Sequence, residues 1–211
     1  MILETDTQRT PEWYAAKVGK ASASRFKHAI ACLKSGAPAQ AQLDYVVELV
    51  VERLTQLPAP KVVTTAMHWG TEQEPAARAA YERATDRIVE ETGFVAHDTL
   101  MAGCSPDGLI DWDGLIEIKC PWNTANHIET LLNGMPQMHM PQVQGQMWIT
   151  GREWCDFVSY DPRMPAELQL HVQRIPRDPS FIADLEARIT SFLQQVGTQV
   201  EALRRLAESK K

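Results

Sequence analysis

The chain has 211 residues, of which 44% are hydrophobic and 23% are charged, and its formal net charge is -6. This size and composition are typical of a globular protein with one well-filled core, so we expect a single domain over residues 1–211. No run of about 18 apolar residues occurs, and the first residues lack the pattern of a signal peptide, so we expect no membrane span and a cytoplasmic location. The acidic balance argues against indiscriminate nucleic-acid binding. It does not exclude a DNA enzyme, because metal-holding carboxylates count as negative charges in the sequence.

Two short helices are predicted at the start of the chain. The stretch 10-TPEW-13 is typical of a helix start, because it has a threonine N-cap followed by proline and an acidic residue, and Gly19 would end this helix. Ser22 is placed to cap a second helix that runs through Leu33.

Two longer helices are predicted next. Residues 41–57 carry apolar side chains at helical spacing and are followed by Pro58, which would stop the helix. The apolar positions are Leu43, Val46, Val47, Val50, Val51, Leu54 and Leu57. Residues 69–83 are alanine-rich and helical in composition despite Pro75.

The second half of the chain predicts mostly strands. They are residues 87–91, 93–97, a hairpin within 102–122 whose turn is Trp112-Asp113-Gly114, 154–160 and 168–175. A helix is predicted at 142–150, and Asp178-Pro179 starts a long final helix of about residues 178–208, with a frayed, solvated tail at 204–211. We therefore expect an α/β (α+β) fold in which helices flank a central mixed β-sheet, with a catalytic core at about residues 60–175.

The hairpin carries charged residues where a buried strand would favour apolar ones. The two-residue period of a strand places Leu115, Glu117 and Lys119 on one face, and Asp107 starts the strand across the turn, so two carboxylates and an ammonium can converge. This set suits phosphodiester hydrolysis, in which carboxylates hold magnesium and a lysine orients or deprotonates the attacking water. The alternative is a surface hairpin with an ion pair of little energetic value. The Pro106-Asp107 pair and the isoleucines flanking Glu117 favour the catalytic interpretation.

The amino-acid sequence around these charged residues resembles that of a known family. Pro106-Asp107 followed by Glu117-x-Lys119 matches the PD-(D/E)xK nuclease signature. The chain resembles lambda exonuclease and the YqaJ-like viral recombinase family in longer stretches, from Trp13 to the final helix. These stretches are 13-WYAAKVGKASAS-24, 69-WGTEQEPAAR-78, 103-GCSPDGL-109, 114-GLIEIKCPW-122, 141-PQVQGQMWITG-151 and 159-SYDPRM-164.

The resemblance implies a fold and an activity. The fold is a restriction-endonuclease-like core. The activity is that of a Mg²⁺-dependent exonuclease, with two ions for which Mn²⁺ can substitute, that digests the 5' strand of linear double-stranded DNA in the 5'-to-3' direction. It releases mononucleotides and leaves 3' single-stranded tails for recombination by strand annealing. The resemblance also implies a preference for 5'-phosphorylated ends, a homotrimeric ring around the DNA, a phage single-strand annealing protein as partner, and a phage or prophage origin within a bacterial host cell.

The resemblance also assigns roles to residues that match the family motifs. Asp107 and Glu117 match the carboxylates that hold the metals, Ile118 would lend its backbone carbonyl, and Lys119 matches the catalytic lysine. Glu74 falls where the family has a helix glutamate that faces the metals, so it belongs to both the catalytic and the metal-binding set.

A second group of matches concerns the DNA end. Lys17, Ser24, Ser105 and Gln142 fall at positions that bind or approach the 5' phosphate, and Met67 corresponds to the apolar wedge. Lys17 stands where the family has an arginine, which keeps the charge but loses the bidentate fork.

Another family arginine is replaced by Ala125 in this chain. Arg25, Arg152 or His127 would then have to supply the missing positive charge. Without such a group, the protein would bind DNA more weakly.

Several of these assignments have structural alternatives. Glu74 with Thr71 fits the spacing of a helix capping box, and Gln142, Gln144 and Gln146 could form a solvated helix edge. The function also has alternatives, which are a site- or structure-specific endonuclease on the same core and a non-catalytic DNA-end-binding recombination scaffold.

Overall fold

The computed structural model describes residues 2, 3, 5, 7–60 and 62–210. Its helices are α1 (Pro11–Lys17), α2 (Phe26–Ala29), α3 (Gln40–Thr55), α4 (Thr65–Thr85), α5 (Thr124–Asn133), α6 (Met140–Thr150) and α7 (Pro179–Glu208). Its strands are β1 (Ile2–Leu3), β2 (Ala21–Ser22), β3 (Val89–Glu90), β4 (Val95–Ala96), β5 (Ala102–Cys104), β6 (Gly108–Ile110), β7 (Gly114–Lys119), β8 (Trp154–Tyr160) and β9 (Leu170–Pro176). Among these residues, no helix has the length and apolar character needed to cross a membrane.

The strands form two mixed sheets flanked by helices. The larger sheet has the order β3-β6-β7-β8-β9, in which β7 and β8 are parallel and the other neighbours are antiparallel. The smaller sheet has the order β1-β4-β5-β2, in which β5 and β2 are parallel. The predicted α/β class with a mixed sheet is therefore confirmed. The strands are divided between two sheets where the sequence predicted one, because β5 ends at Cys104 and the chain passes through Pro106 before β6 begins.

The two faces of β7 pack against different helices. Leu115 lies in a cluster with Val143 and Met147 of α6. Ile116 and Ile118 point the other way and pack in a cluster with Ala77 and Tyr81 of α4. The predicted alternation along this strand is confirmed, and α6 and α4 thereby fix the strand that carries Glu117 and Lys119.

The predicted second helix is wrong over most of its length. Ser22 belongs to β2, which pairs with β5, and its hydroxyl makes no capping hydrogen bond. A single 3-10 turn and the four-residue α2 follow, and the helix ends at Ala29. Cys32 then forms a β-bridge with Pro38, so the chain near Leu33 is not helical.

The helix α3 is present, but its predicted apolar stripe is largely exposed. Val46 and Val50 are buried, as expected. The other predicted members are exposed: Leu43, Val47, Val51, Leu54 and Leu57. The buried side also includes Tyr45, whose ring stacks on Phe192 of α7 at a centroid distance of 5.3 Å. The helix α3 therefore has one apolar face against the core and a second apolar face on the surface of this chain.

Other differences concern helix ends, one missed helix, the unpredicted strands β1 and β2, and the strands predicted at 87–91 and 93–97, which are shorter in the structure. The helix α4 begins at Thr65, earlier than predicted, because the side chain of Thr64 accepts a hydrogen bond from the Met67 N–H and caps it. The helix α5 was not predicted from the sequence. The helix α7 begins after Asp178 as predicted and stays helical to Glu208, so the expected fraying of its tail is wrong up to that residue, whereas the predicted exposure of residues 204–210 is confirmed. Lys211 lies outside the described residues.

Candidate active site

The hairpin of β6 and β7 places Asp107 beside Glu117. Its register pairs Gly108 with Ile116, so Asp107 lies just before the first paired residue. The backbone N–H of Asp107 donates to the carbonyl of Ile116 at 3.2 Å, and the N–H of Ile118 donates to Oδ2 of Asp107 at 2.7 Å. The carboxylate of Asp107 is therefore held by the backbone of the strand that carries Glu117.

Glu117 is 2% exposed, and side chains from α6 surround its carboxylate. Gln142 Nε2 donates to Oε1 at 2.7 Å, and Gln146 Nε2 donates to Oε2 at 2.6 Å. Lys119 Nζ also donates to Oε1 of Glu117. A buried carboxylate with donors on both oxygens is held in one orientation.

The three glutamines of α6 are not a solvated helix edge. Gln144 and Gln146 are buried, and Gln142 is half-buried against Glu117. Gln144 instead donates to the carbonyl of Pro176 and accepts from the N–H of Asp178, so it ties α6 to the start of α7. Gln146 was not predicted as a site residue. Its spacing of four residues from Gln142, on a helix expected to pack on the sheet, is the signal that could have identified it.

The cavity around Asp107 carries side-chain charges of both signs. Burial raises the pKa of Asp107 well above 3.8, and the neighbouring Glu117 raises it further, whereas Lys119 and the Ile118 N–H oppose the shift. Burial alone would lower the pKa of Lys119, but Glu117 and Asp107 raise it above its ordinary value. The lysine is therefore held as a cation. Asp107 is nevertheless costly to ionise, so the site favours an additional positive charge.

Glu74 lies on the same cavity but is paired with arginines. Its carboxylate accepts hydrogen bonds from Arg9 and, at 3.3 Å, from Arg78 on the next turn of α4. The capping-box alternative is wrong, because α4 starts at Thr65 and Thr71 therefore lies inside the helix. Arg9 was not predicted as a cavity residue, and it reaches this position from the segment before α1.

Within the described part of the chain, no three His, Cys, Asp or Glu side chains are close enough together to hold a metal ion. The oxygen donors that are close together are the carboxylates of Asp107 and Glu117, and Ile118 lines the same cavity. Mg²⁺ is commonly bound by one or two carboxylates, with waters and substrate phosphates as the other ligands. The donor set and the raised pKa of Asp107 fit such an ion.

A single cavity of about 540 Å³ brings the predicted site residues together. Its lining includes Asp107, Glu117, Ile118, Lys119, Glu74, Lys17, Ser24, Ser105, Gln142 and Met67. Their separate roles stay predictions, because position alone does not define a role. The arrangement does place acidic groups at one part of a cavity whose lining also carries the cation Lys17 and several hydroxyl groups.

Two of the residues predicted to meet the DNA end, Lys17 and Ser105, contact Trp13 of α1. The ammonium of Lys17 lies 3.7 Å from the centre of the Trp13 ring, and Trp13 Nε1 donates to Oγ of Ser105 at 2.9 Å. The hydroxyl of Ser24 is 3.1 Å from that of Ser22. One indole thus fixes a cation and a hydroxyl group from distant parts of the chain.

Three residues were candidates to replace the family arginine that is Ala125 in this chain, and they lie in different parts of the structure. Arg152 donates to backbone carbonyls of the hairpin, and His127 is fully buried with hydrogen bonds at both ring nitrogens, so neither lines the cavity. Arg25 forms a forked ion pair with Glu48. Lys27 of α2, which the sequence did not indicate, lines a smaller cavity next to Lys119.

The two mixed sheets, with the residues of the PD-(D/E)xK motif gathered in one cavity, are typical of a nuclease-like class of protein. The chain belongs to the YqaJ-like viral recombinase domain family, whose model matches residues 12–153. This membership and the relatives below support a nuclease function.

The chain is similar to solved structures of exonucleases. It is 44% identical to an alkaline exonuclease (LHK-Exo) from Laribacter hongkongensis, with a TM-score of 0.88, over 96% of this chain and 100% of that one. The structure of LHK-Exo in complex with dAMP matches at 43% identity and a TM-score of 0.89, over the same shares of the two chains. A phage related exonuclease from Haemophilus somnus 129PT matches at 16% identity and a TM-score of 0.71, over 87% of this chain and 96% of that one, which shows the fold alone.

A curated sequence also matches in part. The protein ExoD of Escherichia coli (strain K12) is 34% identical over 58 residues, which are 28% of this chain. The match spans 66% of the length of ExoD.

Proposed function

We propose that this chain is a metal-dependent exonuclease that digests the 5' strand of linear double-stranded DNA in the 5'-to-3' direction, releasing mononucleotides and leaving 3' tails. The observation that carries the proposal is the convergence of Asp107, Glu117 and Lys119 in one cavity with the candidate phosphate-binding residues. The likeness to LHK-Exo over its full length supports it, and dAMP, found in complex with that relative, is a nucleoside monophosphate of the kind such a reaction releases.

Asp107, Glu117 and the Ile118 carbonyl would hold Mg²⁺, and Glu74 would hold a second ion after its carboxylate is released from Arg9. Bound Mg²⁺ polarises a phosphate and acidifies water. The protein residues supply the alignment. Gln142 and Gln146 fix the carboxylate of Glu117, and Lys119, held as a cation by the acids, orients the attacking water by hydrogen bonding.

The direction of digestion follows from the position of the terminal phosphate. In this proposal, Lys17, Ser24, Ser105 and Gln142 hold the 5' phosphate, so the next phosphodiester lies over Asp107 and its neighbours. Hydrolysis there releases one nucleotide at a time. Met67, half-exposed among the residues that line the cavity, would separate the terminal base pair as a wedge.

The proposal extends to assembly. A homotrimeric ring would enclose the DNA, and a single-strand annealing protein would receive the 3' tail. The exposed apolar face of α3 supports a subunit or partner contact, because aliphatic side chains at helical spacing on a surface are costly unless they are covered. Sedimentation of the purified chain tests this part separately, and a monomer at all concentrations would remove it.

The test of the reaction is digestion of a linear duplex and of a relaxed circular duplex of the same sequence, each with Mg²⁺ or with a chelator. Acid-soluble nucleotides are expected only from the linear duplex with metal, and Mn²⁺ is expected to replace Mg²⁺. Cleavage of the circle would favour an endonuclease instead. Binding to duplex ends without any release would favour a recombination scaffold.

A further inference from the structure

A side cavity of about 460 Å³ opens next to Lys119, beyond the acidic site. Its walls are largely apolar and include Cys120, Pro136, Met138 and Phe157. Its size falls in the range of pockets that enclose a small ligand, which is roughly 300–1,000 Å³. None of the residues assigned above to the 5' phosphate or to the metals lines this cavity, apart from Lys119 on its border.

The side cavity is on the same face of the sheet as the acidic site. The parallel ladder pairs Glu117 with Phe157 and Lys119 with Ser159, and side chains of paired residues point to the same face. The ring of His139 lies near that of Phe157, with a centroid distance of 5.4 Å and an angle of 33° between the planes. Burial, followed by the charge of Lys119, lowers the pKa of His139 to about 4, so this ring is uncharged at neutral pH.

A small cavity of about 200 Å³ connects the two sites. It shares Lys119, Ser24 and Gln142 with the acidic cavity, and it shares Lys119, Met138 and His139 with the side cavity. Lys27 adds a second cation to its lining. From the acidic cavity to the side cavity, the lining therefore changes from hydroxyl, amide and ammonium groups to mainly apolar and aromatic groups, with Glu129 and other polar residues of α5 on one wall of the side cavity.

We propose that the side cavity is a nucleobase subsite, which rests on the proposed function and takes the base of the 5'-terminal nucleotide. The phosphate of that nucleotide would lie near Ser24 and Gln142, which belong to the proposed phosphate site and also line the connecting cavity, and its base would lie against Phe157, His139 and Met138. An aromatic wall accepts any of the four bases, because every base has a π-face. The subsite therefore fits an enzyme that digests DNA without regard to sequence.

The subsite has an energetic role in the reaction. A terminal nucleotide that reaches the acids must leave its stack and its base pair, and both losses cost free energy. Stacking in the side cavity offsets part of that cost on the same strand. The charge complementarity of the connecting cavity and its continuity with the acidic site favour a nucleotide over an uncharged apolar ligand.

The test compares the binding of dAMP with that of 2-deoxyribose 5-phosphate, which has the same sugar and phosphate but no base. Calorimetry with the full chain and Mg²⁺ is expected to give a dissociation constant about tenfold lower for dAMP. Asn126→Trp fills the side cavity from the exposed surface of α5, and it should bring the ratio close to one while leaving deoxyribose phosphate binding unchanged. Leu132→Trp places the same ring on the solvent side of that helix, and it should keep the wild-type ratio.

A second variant removes a wall instead of filling the cavity. Met138→Ala should weaken dAMP and leave deoxyribose phosphate unchanged, whereas Met101→Ala, at a similarly exposed methionine away from the side cavity, should change neither. A ratio near one in the wild type, or a ratio unaffected by Asn126→Trp, overturns the subsite. Digestion of linear duplex is measured on the same samples. Normal digestion with a ratio near one removes only the subsite, whereas an absence of digestion by the wild type removes the proposed function.

Discussion

Gln146 Nε2 donates a hydrogen bond of 2.6 Å to Oε2 of Glu117, and both side chains are almost completely buried. The amide oxygen of Gln146 has no hydrogen-bond partner within the described part of the chain. The side chain is therefore used for its donor, which fixes the plane of a carboxylate at the centre of the site.

Gln146→Leu should lower activity about 10- to 100-fold, as expected when a group that orients a ligand is lost. It should also lower the free energy of unfolding by about 1–3 kcal/mol, because a buried carboxylate oxygen loses its donor. Single-turnover digestion and denaturant unfolding measure the two effects. Gln144→Leu is the matched control, since it removes a buried glutamine of the same helix that does not touch Glu117. Equal activity loss in the two variants would contradict a specific role for Gln146.

The raised pKa of Asp107 predicts a pH dependence of stability in metal-free protein. Because burial and Glu117 raise this pKa well above 3.8, the protonated form stabilises the fold. That contribution is complete below 3.8 and is lost as the pH rises through the pKa of the folded state. Asp107→Asn should therefore unfold at a higher temperature than the wild type in chelator at neutral pH, and the difference should disappear in acid. Thermal unfolding across pH measures it.

Mg²⁺ provides the other arm of that experiment. It should raise the unfolding temperature of the wild type at neutral pH and leave that of Asp107→Asn nearly unchanged. A wild-type melting temperature that does not respond to Mg²⁺ would contradict a metal site at Asp107.

Glu74 is predicted to contribute to metal binding even though Arg9 and Arg78 hold it in this structure. Glu74→Gln should raise the dissociation constant for Mg²⁺ about tenfold, measured by calorimetry without DNA. Glu72→Gln is an exposed glutamate on the same helix and should have no effect. An unchanged constant in Glu74→Gln would assign this residue to its arginine pairs alone.

Lys17 is predicted to recognise the 5' phosphate. Lys17→Ala should reduce the rate advantage of 5'-phosphorylated over 5'-hydroxyl duplexes by roughly 10- to 100-fold, since it removes a charged hydrogen-bond donor. Lys17→Arg should keep or increase the advantage, because the guanidinium fork suits a phosphate. Lys34→Ala, at an exposed lysine outside the cavity, serves as the control. If the advantage survives in Lys17→Ala, another group reads the phosphate.

The sequence predicted the parts of this molecule that depend on local pattern. The hairpin and the shared face of Glu117 and Lys119 follow from the two-residue period of a strand, and the structure has both. The short α2 did not follow, because the pairing of β2 with β5 competes with helix formation, and that pairing joins segments about 80 residues apart. The periodicity of α3 likewise marked apolar positions but not which of them face the core.

The residues of the site likewise divide into those that a local sequence pattern identifies and those that only tertiary contacts bring to the cavity. Asp107 was found by its motif, whereas Arg9, Lys27 and Gln146 were missed as cavity residues. Their roles depend on where distant elements meet. Arg9 reaches Glu74 across 65 positions of sequence, and no local pattern encodes that contact.

The central claim is tested most directly by digesting linear duplexes labelled at the 5' or the 3' end with the wild type, Asp107→Ala and Lys119→Ala, in the presence of Mg²⁺. The wild type is predicted to release the 5' label first, as a mononucleotide. The two variants are predicted to remain folded by circular dichroism and to release nothing above background. Release of the 3' label first, or normal digestion by Asp107→Ala, would contradict the account.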